Sequence, residues 1–222
     1  MSGYLLAKLA HVLCLVYWLG ADVGVFYASR YVSNPSLAPA ERATALRIQA
    51  WVDQFPRYTL VATLPFGLTL ALASGRWLAP PWALPAIWVA SLAWLALVWA
   101  MLRPAMARHL ATLRRVDLTV RIAIIIVLLG YGLQGLAGAG PITEAWVALK
   151  AVLFALIIVC GLMIRFSAAP FRPAFARMQA AGSTPELEAV ISGALMRTRR
   201  YVVLIWALLV VAAWVAIARP LP

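Results

Sequence analysis

The sequence predicts an all-α fold: a polytopic membrane helix bundle with six transmembrane helices, forming a single integral membrane domain over residues 1–222 with N- and C-termini outside. Three observations predict it. The 222 residues are 65% hydrophobic and 12% charged, more apolar surface than a soluble domain of this size can bury. Six apolar runs each approach the roughly 20 residues needed to cross a hydrocarbon core about 30 Å thick, and turn-forming residues separate them. The arginines, finally, fall almost entirely on one side of a six-span topology.

Taken in order, span one covers about 4–28. No basic region precedes it, Lys8 interrupts it and Asp22 lies near its end, so it reads as a retained span rather than a cleaved leader. After Pro35 and Pro39, the stretch AERATALRIQAWVDQF at 40–55 mixes charge with apolar positions at helical spacing; it predicts an interfacial helix ended by Pro56. Span two, 57–75, holds Pro65 and Gly67, which can kink it and open space for a ligand, and Thr59, Thr63 and Thr69 can satisfy freed carbonyls. Pro80-Pro81 leads into span three at 82–103, and Pro104 ends it. Span four, 118–137, and span five, 143–165, are separated only by the GAGP run ending at Pro141, a tight outer hairpin. Ser183 and Glu186 have capping-box spacing, and Pro185 suits a first helical turn; that helix runs on into span six at 201–218.

The charge pattern tests this count. Arg30, Arg42, Arg47, Arg57, Arg103, Arg108, Arg114, Arg115, Arg121, Arg165, Arg172, Arg177, Arg197, Arg199 and Arg200 lie on one side, whereas only Arg76 and Arg219 lie on the other. Adding or removing one span scrambles that skew. A formal charge of +12 carried between apolar runs suits anionic membrane lipids, not nucleic acid. Trp77, Trp82 and Trp146 fit an outer aromatic belt. Cys14 and Cys160 both lie in apolar runs and read as small core residues without disulfide or CxxC spacing.

The polar residues inside the spans are the candidate site. Lys8, His11, Leu15, Trp18 and Asp22 are spaced three, four, three and four, one stripe of a helix. Ionisable groups in a span are costly and usually functional. His11 lies roughly 10 Å below the outer end of its span, at the depth of Lys150 in span five. Tyr131 and Gln134 of span four complete an expected outer-half cluster with Lys8, His11 and Lys150. A second cluster of Asp22, Asp53, Arg57 and Arg121 is expected at the inner boundary, where Asp53 and Arg57 have ion-pair spacing and a spare arginine would grip a carboxylate or phosphate. His109 lies in a cytoplasmic loop, at the wrong depth to pair with His11 around one haem. The six methionines are scattered, a poor supply for a copper path.

The stretch KLAHVLCLVYWLGADVGVFYASRYV resembles the first span of the J-type bacterial protoporphyrinogen IX oxidases, with Lys8, His11, Trp18, Phe26-Tyr27 and Arg30 matching that family's lysine, histidine, tryptophan, aromatic and arginine, the last at a longer spacing. His11, Trp18 and Gly20 also resemble the membrane domain of cytochrome-linked urate oxidases. EAWVALKAVLFALIIVCGLMIRF resembles a late span shared by the J-type oxidases and the copper-resistance D family, with Lys150 on the family lysine; Ala148 stands where the J-type pattern often has histidine. The closing RTRRYVVLIWALLVVAAWVAIARP is similar to the last helix of the copper-resistance D proteins. The resemblance touches about half the chain. It implies a haem-associated fold in a bacterial inner membrane, with the histidine of span one as iron ligand.

These readings together lead to an expected haem-b or porphyrin-binding membrane oxidoreductase. His11 would ligate iron; Lys8, Trp18, Tyr131 and Gln134 would line the cofactor; Lys150 would sit opposite as a second ligand or a propionate or substrate contact, and Asp22 and Arg57 would handle protons or a carboxylate. Electrons would pass to quinone or a redox partner protein. Two other classes stay open: a copper-handling transporter, and a non-catalytic anchor subunit. A homo-oligomer is left open as well.

Overall fold

The computed structural model describes residues 3–221. They form eight helices: α1 Gly3–Val32, α2 Pro39–Val52, α3 Gln54–Ala73, α4 Ala83–Ala100, α5 Leu110–Leu136, α6 Ala145–Ser167, α7 Phe171–Ala181 and α8 Pro185–Ala218, with a 3-10 turn at Pro104–His109. No strand occurs among the described residues; one isolated bridge joins Trp77 to Ile142. Five helices, α1, α4, α5, α6 and α8, are long and apolar enough to cross a membrane, which makes this a multi-pass membrane protein. The 20-residue α3 is less apolar, because Arg57, Pro56, Pro65 and its threonines dilute it.

The long helices pack in a closed order, α1 against α3, then α4, α5, α6, α8 and back to α1. Their shared core is apolar throughout: Trp18, Leu60 and Val61, Trp94 and Val98, Leu128, Ile157 and Ile158, Ile205 and Leu209. Trp18 is 2% exposed and meets Phe154 edge-on, ring centroids 6.3 Å apart. The tightest seam is α5 against α6. A Cβ at Gly132 would stand 2.7 Å from Val152 Cγ2, and one at Gly135 would stand 2.7 Å from Ala148 Cβ. Small residues let the two backbones approach, which drives helix association where no hydrophobic effect acts between helices. Ala148 is wholly buried in that seam, so an imidazole has no room there.

A second apolar core sits at the arginine-rich end, outside the bundle. Val32 at the end of α1, Phe171, Phe175 and Met178 of α7 and Ile191 and Leu195 of α8 form it, with Ala45 and Leu46 of α2 against them. Arg42 of α2 is 1% exposed. Its Nη1 and Nη2 donate to the two carboxylate oxygens of Glu188 at 2.6 and 2.9 Å, and its Nε donates to the Val32 carbonyl at 2.9 Å. Such a forked pair is both strong and directional. The hydrogen bonds from Arg42 hold the Glu188 carboxyl below its ordinary value despite its partial burial. Arg199 of α8 clasps the end of α1, donating to Ser29 Oγ at 2.8 Å and Ser33 Oγ at 2.7 Å.

Local boundaries differ from expectation where proline and caps decide them. Pro56 does not end the interfacial helix: α2 stops at Val52, and Pro56 falls in the first turn of α3, where its missing N–H costs nothing. The cap of α8 is Thr184, whose Oγ1 accepts from the Leu187 N–H at 3.3 Å; Ser183 donates instead to Glu188. The reciprocal half of a capping box appears on α2, where the Ala38 N–H donates to Glu41 at 2.8 Å. α8 runs unbroken from Pro185 to Ala218, as its sequence predicts. α7 is additional to the expected elements.

Candidate functional site

The inward stripe of α1 runs Ala7, Cys14, Trp18, Asp22, Val25, Ser29 and Val32, with His11 half-buried beside it. The imidazole points its Cε1 edge into the gap that Gly67 leaves in α3. A Cβ there would come within 3.1 Å of His11 Cε1. The space expected to be opened by Pro65 and Gly67 is therefore taken by the histidine itself. Thr63 of α3 and Lys150 of α6 are its polar neighbours. His11 Nδ1 is buried and makes no well-formed hydrogen bond among the described residues, although the Thr63 backbone lies close to the ring. An unpaired buried polar atom costs about 1–3 kcal/mol, so its retention calls for a reason.

Lys150 is half-buried one turn below Trp146, with Nζ 6.0 Å from the indole centroid. Arg76 and Arg219 reach the same ring, at 5.5 and 5.4 Å, and Glu144 receives both Arg76 Nε, at 3.1 Å, and the Trp146 N–H. This collar brings the turn after α3, the start of α6 and the end of α8 to one end of the bundle, the end that also holds His11.

Of the five residues expected in the outer cluster, His11 and Lys150 are brought together and three are not. Lys8, Tyr131 and Gln134 are all exposed on the outside of the bundle. For Lys8 the reason is angular: it lies next to Ala7, and Ala7 takes the inward position. Gly132 and Gly135 take the inward face of α5, which turns Tyr131 and Gln134 away.

The inner cluster is also redistributed. Arg57 pairs with Asp53, its Nε 2.8 Å from Oδ2, and stands at the arginine-rich end, away from His11. Arg121 pairs instead with Asp117, which is 0% exposed. Asp117 also accepts from Trp94 Nε1 at 2.9 Å and from Arg165. Its signal was present in the i, i+4 pair of RRVDLTVR. Asp22 is buried and makes no ion pair among the described residues. It stands near the indoles of Trp206 and Trp18, yet Trp206 Nε1 is left without a well-formed partner. His109 is exposed and accepts from Arg108 at 2.9 Å. Cys14 and Cys160 are buried and free.

Two further openings lie between α3 and α4. One, of about 590 Å³, is an apolar groove lined by Tyr58, Thr59, Ala62, Leu92, Leu95, Ala96 and Trp99. The other, of about 240 Å³, adds Gln54 and Arg103 at its mouth. Neither includes His11 or Lys150. Among the described residues, no three His, Cys, Asp or Glu side chains converge as a metal-holding group. The chain matches no protein-family model, no curated protein and no solved structure.

Proposed function

We propose that this chain is a six-span membrane oxidoreductase that holds haem b, or a porphyrin of similar shape, against His11, with both termini outside the inner membrane of a bacterium. The observation that carries the reading is the buried, unpartnered His11 Nδ1, seated on Gly67 beside Lys150. The sixth span is α3, which lies between α1 and α4 in the closed order of the bundle. The orientation follows from the arginine skew.

The donor atoms suit the group: an imidazole nitrogen without a well-formed hydrogen bond, a second nitrogen base nearby and apolar helix faces; since neither groove between α3 and α4 reaches His11, the helices around it must part to admit a macrocycle. A bound haem supplies one-electron redox chemistry. His11 offers the lone pair, and Gly67 leaves room for the edge of its ring. Lys150 offers a second nitrogen or a cation for a carboxylate. Trp18, two turns below His11, is packed against Phe154 and closes the apolar core toward the arginine-rich end. Asp22 lies about 16 Å further along α1 than His11, so it serves proton passage toward that end rather than ligation. Arg57, held by Asp53, orients the start of α3. Quinone in the bilayer or a redox partner protein takes the electrons.

The test is an absorbance spectrum of protein purified in detergent, before and after addition of haemin. A Soret band is the expected result. No band in either sample overturns the reading, and a stoichiometric partner in the colourless sample would point to an anchor subunit instead.

A further inference from the structure

The second concentration of unusual groups lies at the opposite end of the bundle and plays no part in the His11 site. Five arginines gather there from four elements: Arg57 from α3, Arg114 and Arg121 from α5, Arg165 from α6 and Arg172 from α7. Arg165 ties them together, donating through Nη2 to Asp117 and through Nη1 to the Arg114 carbonyl at 3.5 Å. Arg121 donates to both oxygens of Asp117, at 3.2 and 3.1 Å. Arg57 is the partner of Asp53.

Two carboxylates thus face five guanidinium groups, and Asp117 has no accepting capacity left over. The rest of the acidic residues are engaged elsewhere. Glu188 is held by Arg42, Glu41 caps α2, Glu144 belongs to the collar at the other end, Glu186 is on the exposed first turn of α8, and Asp22 is turned to Trp18 and Trp206. Arg114 and Arg172 are exposed and make no side-chain hydrogen bond or ion pair among the described residues. Partial burial first, and the neighbouring Arg172, Arg165 and Arg57 next, push the Arg114 guanidinium down from its ordinary value, so the chain leaves this excess uncompensated. The first turn of α7, which carries Arg172, also has no side-chain cap.

We propose that Arg114, Arg165 and Arg172 form a binding site for a phosphate group, carried by an anionic phospholipid or free in solution. Planar guanidinium groups match phosphate in fork geometry, and basic pockets between spans at a membrane boundary suit such headgroups. The site needs nothing from His11.

The experiment follows thermal unfolding by intrinsic tryptophan fluorescence in nanodiscs of phosphatidylcholine, with phosphatidylglycerol titrated in. Phosphatidylglycerol raises the midpoint of the wild-type protein. Arg114→Gln with Arg172→Gln weakens the apparent affinity at least about tenfold, the loss of one or more charge-assisted contacts; Arg114→Lys with Arg172→Lys retains part of it. Arg47→Gln, on exposed α2, responds as wild type. Inorganic phosphate that reproduces the shift where phosphatidylglycerol does not assigns the site to a soluble phosphate. No stabilisation by either, or an undiminished response in the double glutamine variant, overturns the proposal.

Discussion

At the scale of single residues the account turns on groups that are paired or left unpaired in an apolar setting. Gly67 is the plainest case. Gly67→Ala places a methyl group within 3.1 Å of His11 Cε1, so the ring must shift by tenths of an ångström. The expected outcome is a protein that folds but binds haemin more weakly, read by titration of the Soret band. Glu188 gives a stability test. It neutralises a guanidinium that is 1% exposed, and removing one partner of a buried pair costs about 3–5 kcal/mol. Glu188 itself keeps some exposure, so Glu188→Gln belongs at the lower end, about 3 kcal/mol in chemical denaturation. The pH dependence has a definite sign. The folded carboxyl is held below its unfolded value, so its contribution is whole above the ordinary glutamate range and fades as pH falls through the depressed folded value. Protease cleavage at the turns flanking the pair, before α2 and between α7 and α8, should therefore accelerate in acid for wild type and change far less for Glu188→Gln.

At the scale of elements, small residues and prolines decide how the helices meet. Gly132→Ala forces a methyl group to 2.7 Å from Val152 Cγ2 and 3.0 Å from the Ala148 carbonyl. Overpacking of this kind costs about 1–3 kcal/mol, to be read as a lowered unfolding midpoint; Gly130→Ala, which meets nothing within 4 Å, should leave it unchanged. Much of this level was legible in the residues. The apolar runs located the long helices, because span length is set by the bilayer and not by distant contacts. The stripe through Trp18 and Asp22 was legible for the same reason: helical periodicity alone places both on one face. Lys8 was misassigned because a seven-residue repeat drifts around a helix, and Ala7 fills the inward place better. The Asp117–Arg121 pair could be read from the spacing of RRVDLTVR but was passed over when Arg121 was placed beside Asp22; Arg165 comes from α6, which no local spacing reveals. α7 was missed because its buried face is completed by α1 and α8.

At the scale of the whole molecule, the chain is a bundle with different chemistry at its two ends: a small aromatic collar around Trp146 at one and a field of arginines at the other. The proposed orientation rests on that asymmetry. Thiol labelling of intact cells is expected to reach Arg219→Cys and not Arg108→Cys, in a background with Cys14 and Cys160 replaced; the reverse pattern inverts the topology. The collar end also houses the central claim, that His11 is held in the bundle as a ligand to iron. The most direct measurement is haemin titration of His11→Ala with and without added imidazole. A Soret band is expected in wild type, with its loss in the variant and its return when imidazole occupies the vacated space against Gly67. A variant that binds haemin as wild type does, with no response to imidazole, would contradict that claim.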